Sequence, residues 1–148
     1  MRISRAATYG ILATVQLSES TSSPPIPCSQ LAKLGDMPER FLLQVLRTLV
    51  NQGLLKSTRG VDGGYRLARP LSQITLLEVI EATDGPIQPE LPQIAGLTPP
   101  SQRRLTEALG DIAADAKRRL AGVNLGQLKP ALNTTPGSGR GRRSGSVA

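Results

Sequence analysis

The sequence predicts a mainly α-helical protein with a single two-stranded β hairpin and a long C-terminal helix. Two short segments of alternating polarity flank the glycine-rich turn "RGVDGG", which is typical of a hairpin. A second apolar stripe runs over residues 101–121 and predicts the long helix. The clearest helix before the hairpin has one apolar face at the i, i+3, i+4, i+7, i+8 spacing, formed by Leu42, Val45, Leu46, Leu49 and Val50.

The elements before the hairpin are three helices separated by breaks. Three prolines in the seven residues of "TSSPPIP" cannot continue a helix, so this stretch is expected to be a loop. Gly53 suits the position just after a helix end. We therefore predict a helix at 3–20, a loop at 21–27, a short helix at 29–34, a turn at 35–38 and a helix at 38–52.

The elements after the hairpin are a helix, a linker and the long helix. Strands are predicted at 54–58 and 65–68, and Pro70 ends the second one. Thr75 and Glu78 have the spacing of a capping box, which predicts a helix over 75–84. The sequence therefore divides into a unit of helices and hairpin at 1–85, a proline-rich linker at 86–100, a long-helix region at 101–130 and a disordered basic tail at 131–148.

Composition excludes several classes of protein. One cysteine and no histidine exclude an internal disulfide framework and an ordinary Cys/His zinc site. The chain has no phosphate-binding loop and no nucleophile beside a base, so no enzyme is predicted. No apolar run is long enough to span a membrane, and a soluble cytoplasmic protein is expected. The net charge of +7 favours a nucleic acid or an anionic surface as the partner.

The order of the elements is that of a winged helix-turn-helix followed by a long helix. In such a fold the second helix of the pair enters the DNA major groove, and the hairpin, or wing, reaches phosphates or the neighbouring minor groove. Residues 47–69 contain one acid, Asp62, and five basic residues, Arg47, Lys56, Arg59, Arg66 and Arg69. The alternative is that these charges form an ordinary solvated surface.

The sequence also resembles a known family. "MPERFLLQVLRTLVNQGLLKSTRGVDGGYRLARP" is similar to the helix-and-wing core of the IscR, NsrR and CymR regulators, the Rrf2 family. "MRISRAATYGILA" and "ITLLEVIEATDGP" resemble the first helix and the helix after the wing. The R-G-x-x-G-G-Y motif from Arg59 to Tyr65 is the most specific piece, and the resemblance covers about residues 1–86.

The resemblance implies a homodimeric transcription factor, expected to be a repressor, that reads a palindromic operator in double-stranded DNA. By analogy, residues 1–85 would be the DNA-binding domain and residues 101–130 the dimerisation region, in which the long helix pairs with its two-fold mate. The alternative is that this helix packs only on its own domain. The expected dimerisation residues are Leu105, Leu109, Ile112, Ala116 and Leu120.

Several residues are expected to contact DNA. The resemblance implies that Arg59 enters the minor groove, while Gln44 could pair with adenine and Arg47 with guanine or a phosphate. Leu43 could touch a thymine methyl or be buried, and Ser4 could meet phosphate or simply cap a helix. The three wing glycines could serve DNA approach or hairpin geometry alone. The full set is Arg2, Ser4, Arg5, Arg40, Leu43, Gln44, Arg47, Lys56, Ser57, Arg59, Gly60, Gly63 and Gly64.

No cofactor is expected, although many members of this family bind an iron–sulfur cluster through linker cysteines. Residues 86–104 contain no cysteine, so the signal is expected to be a partner protein or a small molecule. Cys28 is either a reactive thiol near a helix start or an ordinary loop residue. Arg140, Arg142 and Arg143 could add nonspecific DNA affinity. An alternative function is a winged-helix module whose main partner is another protein.

Overall fold

The computed structural model describes residues 1–17 and 24–129, and within them the predicted fold class is confirmed. A two-stranded antiparallel sheet follows three helices and precedes two more. Short 3-10 turns lie at Leu71–Gln73 and Leu125–Leu128. The regular elements are α1 (Arg5–Gln16), α2 (Cys28–Gly35), α3 (Glu39–Asn51), β1 (Leu55–Thr58), β2 (Gly64–Leu67), α4 (Leu76–Asp84) and α5 (Pro99–Ala121).

α1 and α5, the first and last of the five α-helices, each begin just after a residue whose side chain caps the helix. α1 begins at Arg5, two residues later than predicted, because the Ser4 hydroxyl accepts a hydrogen bond from the Ala7 N–H at 2.9 Å. α5 begins at Pro99, two residues earlier than predicted, after the cap residue Thr98. The predicted end of the first helix at residue 20 and the predicted basic tail lie outside the described residues.

α3 is held by its apolar face and by a glycine at its end. Leu42, Leu46 and Leu49 are fully buried, and each such side chain contributes about 1.5–3 kcal/mol relative to exposure. Gly53 has a φ of +77°. The N–H groups of Gly53 and Leu54 donate to the carbonyls of Val50 and Leu49, each at 3.0 Å. This Schellman motif turns the chain directly into β1.

The wing pairs in the register Leu55↔Leu67 to Thr58↔Gly64, and a third segment joins it. Ile26 forms an isolated antiparallel bridge with Tyr65. The N–H of each residue donates to the carbonyl of the other at 2.9 Å. The chain just before α2 therefore anchors the inner strand of the wing, and this bridge fixes the position of the wing relative to the helix pair.

The chain after α5 returns to the winged-helix core. The Leu76 N–H donates to the Val123 carbonyl at 2.8 Å, and the Leu125 N–H donates to the Ile74 carbonyl at 2.9 Å. Leu125 is fully buried among the core residues of α1, α3 and α4. Lys117 of α5 also lies 3.4 Å from the Glu81 carboxylate of α4. The backbone hydrogen bonds, the burial of Leu125 and the ion pair of Lys117 together hold α5 against the α4 side of the molecule.

The helices in the described ranges include none that is long and apolar enough to cross a membrane.

Candidate nucleic-acid interface

An open cleft of about 500 Å³ lies between α3 and the wing. α3 contributes Arg47 and Asn51 to its lining, and the wing contributes Ser57, Arg59 and Gly60. The start of α2 closes one side through Pro27 and Cys28, next to Tyr65 of β2. Residues that are far apart in sequence thus form one surface. The α3–wing face is defined here as this cleft, the exposed face of α3 and Lys56, which precedes Ser57 on β1 but does not line the cleft.

The outer face of α3 presents polar side chains at helical spacing. Arg40, Gln44, Arg47 and Asn51 are all exposed and follow one another at intervals of four, three and four residues. Leu43 is half-buried and lies beside this row. Asn51 is absent from the sequence-based set of contacts, although its position four residues after Arg47 could have identified it. An exposed row of this kind can make hydrogen bonds along a groove.

The cations of the α3–wing face have no acidic partner within residues 1–17 and 24–129. Arg40, Arg47, Lys56 and Arg59 form no ion pair in the part of the chain that the structure describes. Lys56 also lies directly opposite Arg66 across the wing, and like charges at such positions destabilise a hairpin. This arrangement costs folding energy, and a bound polyanion would offset that cost.

Arg69 differs from the other basic residues of the wing region. Its guanidinium is paired with the Glu78 carboxylate at the start of α4. α4 thus supplies Arg69 with an acid that the local sequence does not reveal, and the charge of Arg69 is paired within the fold.

The three wing glycines have different structural roles. At Gly63 an added Cβ would overlap the Thr58 carbonyl oxygen, and at Gly64 it would overlap the backbone of Ile26. These two glycines are required by the hairpin and by its bridge to the chain before α2. Gly60 has a φ of +112° but open space around it. Of the three, Gly60 alone leaves room for another molecule to approach the backbone.

The N-terminal candidates lie away from the cleft. The Ser4 hydroxyl caps α1 and donates to the Asp84 carboxylate at 2.5 Å, so its hydrogen atom is already used. Arg2 borders a groove formed by α4, residues 86–90 and α5. Arg5 is exposed at the first position of α1. The structure therefore gives Ser4 a capping role and does not bring Arg2 to the α3–wing face.

Cys28 is held as a neutral thiol. Burial raises the pKa of this thiol, and the nearby Glu39 carboxylate raises it further. Its Sγ donates a weak hydrogen bond to the Glu39 carbonyl oxygen at 3.7 Å. Since the thiolate is the reactive form, the hypothesis of an activated cysteine at a helix start has no support here.

α5 presents an apolar stripe that its own domain covers only in part. None of its side chains is buried, and Ile112 in the middle of the stripe is 64% exposed. Leu105, Leu109, Ala116 and Leu120 are half-buried. Leu109, Ile112 and Ala116 line a groove of about 560 Å³ against Ile80 of α4.

Comparison with known proteins identifies the family. A family model described as "Rrf2: Iron-dependent Transcriptional regulator" matches residues 3–130. The chain belongs to the Rrf2 family. This match confirms the resemblance drawn from the helix-and-wing sequence, and it extends through α5.

Several proteins similar to this chain are named as transcriptional regulators. IscR of Cronobacter sakazakii is 30% identical over 132 residues, which are 86% of this chain and 80% of IscR. An HTH-type regulator of Mycobacterium tuberculosis is 38% identical over 87 residues, and CymR of Bacillus subtilis is 34% identical over 89. These two alignments span 54% and 64% of the relatives' own lengths.

The solved structure of CymR from B. subtilis has the same fold. It superposes with a TM-score of 0.69 at 27% identity, covering 88% of this chain and 98% of CymR. An IscR structure from T. potens gives a TM-score of 0.65 at 24% identity, a level at which only the fold is compared. The winged helix and α5 together therefore match the architecture of Rrf2 regulators.

The residues of this chain do not fit the iron–sulfur cluster known for some Rrf2 members. Cys28 is the single cysteine of the sequence, and it lies at the start of α2, far in sequence from the 86–98 linker. In residues 1–17 and 24–129, no three Cys, His, Asp or Glu side chains are grouped as metal ligands. A cluster needs several thiolate or comparable ligands at one place, and this chain does not supply them.

Proposed function

We propose that this protein is a sequence-specific transcriptional repressor that binds a palindromic operator as a homodimer. The observation that carries the proposal is the α3–wing face, where Arg40, Arg47, Lys56 and Arg59 are exposed and unpaired in the described ranges. Exposed, unpaired cations bind phosphates and release their counterions, which gives salt-sensitive affinity for DNA.

Base recognition is assigned to α3. A helix of this width fits the major groove of B-DNA, and the exposed row then meets base edges. Gln44 can make two hydrogen bonds with adenine, and Arg40 or Arg47 can do the same with guanine. Arg59 and Gly60, where β1 leads into the turn of the wing, approach the adjacent minor groove, and Gly60 leaves the backbone there free of side-chain obstruction.

The dimer is assigned to α5. Exposed Ile112 and its neighbours on the stripe would be covered by the same stripe of a second copy, as a two-fold interface requires. Two copies of α3 would then read half-sites about one helical turn of DNA, or a multiple of it, apart. Occupancy of a promoter by the dimer would exclude the transcription machinery. Without cluster ligands, the signal would be a protein or a small molecule in the cytoplasm.

The proposal is tested with purified protein on the DNA upstream of its own gene. A footprint with two related half-sites is expected. Arg59→Ala should weaken binding to every DNA, whereas Gln44→Ala should change which operator bases are preferred. Arg118→Ala is the control. It also removes one positive charge, but from α5, where Arg118 pairs with Asp115. It should change neither the affinity for DNA nor the preferred operator bases.

If Arg59→Ala and Gln44→Ala both bind like the wild type, the assignment of the α3–wing face is wrong. The alternative, a module whose main partner is another protein, would then be favoured. Elution of the protein as a monomer in size-exclusion chromatography, at the concentrations used for the footprint, would contradict the homodimer.

A further inference from the structure

The tip of the wing carries an apolar side chain that the fold does not use. The Gly63 N–H donates to the Gly60 carbonyl at 3.0 Å, so Val61 and Asp62 are the two corner residues of a four-residue turn. Val61 is 101% exposed, a larger fraction than for any other large apolar side chain in residues 1–17 and 24–129. It contributes nothing to the core.

The turn itself gives no reason for a valine. Neither corner residue has a positive φ, which agrees with a type I turn that most residue types can form. Asn, Asp, Ser, Gly and Pro are the residues that favour such corners. Val61 directly follows Arg59 and Gly60, the two residues that the proposed function places next to the minor groove.

We infer that Val61 is a specificity residue that selects A·T base pairs under the tip of the wing. This inference rests on the proposed function. The floor of the minor groove over A·T pairs carries only the adenine N3 and thymine O2 acceptors, whereas guanine adds a protruding N2 amino donor. The methyl groups of Val61 can pack against sugars and a floor without that amino group.

A G·C pair at the same place is disfavoured for two reasons. The guanine amino group occupies the space that the valine methyls would fill. It also becomes buried against an apolar side chain that cannot accept its hydrogen bond, and an unsatisfied buried donor is unfavourable. The discrimination is local, so it should affect only the base pairs that the wing tip covers.

Inosine separates minor-groove from major-groove reading. An I·C pair lacks the guanine amino group and therefore resembles A·T in the minor groove while resembling G·C in the major groove. We would place A·T, G·C or I·C pairs at the wing-protected positions of the operator footprint and measure the dissociation constant for each. The affinity of the wild-type protein should be about fivefold or more lower for the G·C operator than for the A·T operator. The I·C operator should recover most of that affinity.

Val61→Thr tests the residue itself because threonine keeps the shape and replaces one methyl with a hydroxyl that can accept the amino hydrogen bond. This variant should bind A·T operators almost as well as the wild type and should reduce the G·C loss to about twofold or less, since the hydroxyl satisfies the guanine donor. Val61→Ala shortens the apolar side chain. Its loss of affinity on changing A·T to G·C should lie between those of the wild type and Val61→Thr. Lys56→Ala is the control, and it should weaken binding to all three operators by the same factor.

The outcomes separate this inference from the proposed function. If the wild type binds no DNA specifically, the proposed function fails. If the wild type binds its operator but treats I·C like G·C, or if Val61→Thr keeps the full G·C loss, only the role of Val61 is wrong. A preference for G·C over I·C would instead assign the contact to the Asp62 carboxylate accepting from guanine, and would also overturn the inference.

Discussion

The guanidinium of Arg69 at the end of the wing is paired with the carboxylate of Glu78 in the first turn of α4. The other oxygen of Glu78 accepts from the Thr75 N–H at 2.8 Å, and the Thr75 hydroxyl accepts from the Glu78 N–H at 3.2 Å. A capping box and an ion pair therefore share one carboxylate. Through it, the wing is tied to the helix that packs on the core.

This shared carboxylate predicts a pH-dependent contribution to stability. Partial burial acts to raise the pKa of Glu78, but hydrogen bonds from Thr75 and Arg69 outweigh it and lower the pKa below its usual value. A lowered pKa gives stability that is complete above the unfolded-state pKa, about 4.3, and is lost as the pH falls through the folded-state pKa. Urea unfolding of wild type and Glu78→Gln should differ by about 0.5–1 kcal/mol at neutral pH.

The difference should shrink as the pH falls through the folded-state pKa of Glu78, since protonated glutamate and glutamine are then similar in charge. Asp115→Asn is a control, because its ion pairs with Arg118 and Arg119 are confined to the exposed surface of α5. A Glu78→Gln difference that stays constant from pH 7 to pH 3 would show that charge at Glu78 does not stabilise the fold.

The wing glycines predict a separation of folding from binding. Gly64→Ala forces a positive φ and overlap with the Ile26 backbone, and should lower the free energy of unfolding by at least about 2 kcal/mol. The added Cβ of Gly60→Ala meets no neighbouring atom, so only the strained backbone conformation should lower the free energy of unfolding, by about 1–3 kcal/mol. Thermal unfolding measures the first effect. Titration with DNA below the unfolding temperature should show that Gly60→Ala still lowers affinity, and unchanged affinity would remove Gly60 from the interface.

The exposed stripe of α5 predicts where dimerisation can be broken. Ile112→Asp places a charge in the centre of the stripe and should convert the proposed dimer to a monomer in analytical ultracentrifugation. Ala114→Asp is the matched control because Ala114 is exposed and lies about 200° around the helix from Ile112. A stable dimer with Ile112→Asp would show that another surface holds the two copies together.

The acid at the wing tip predicts a variant with higher affinity. Asp62 is exposed beside Val61, and its charge would face DNA phosphates without a cation paired to it in the described residues. Asp62→Asn should tighten binding to every DNA by up to about fivefold at low salt. The gain should fall as salt is raised, because screening weakens exposed charges. Weaker binding of Asp62→Asn would mean that the carboxylate makes a favourable contact.

Local features of the fold were predictable from the sequence because their signals are short. Gly53 follows its helix at the position that ends it, and Thr75 and Glu78 form both halves of their capping box. The apolar face of α3 is buried through Leu42, Val45, Leu46 and Leu49 as its spacing indicated. Each of these features depends on residues within one or two turns of a helix.

Features that depend on distant residues were missed. The bridge between Ile26 and Tyr65 joins positions 39 residues apart, so no local pattern reveals it or the reason for Gly64. The pairing of Arg69 with Glu78 and the return of Leu125 to the core depend in the same way on how helices pack. The sequence supplies the cations of the candidate site, but only the folded chain separates the paired Arg69 from the unpaired ones.

The salt dependence of DNA binding tests the role of the α3–wing face most directly. The dissociation constant of an operator would be measured at several salt concentrations for wild type, Lys56→Ala, Arg59→Ala and the charge-matched control Arg118→Ala. Each cation that contacts a phosphate should reduce the slope of log affinity against log salt by about one when it is removed, and Arg118→Ala should not change that slope. Identical slopes for all four proteins would contradict the assignment of this face to DNA.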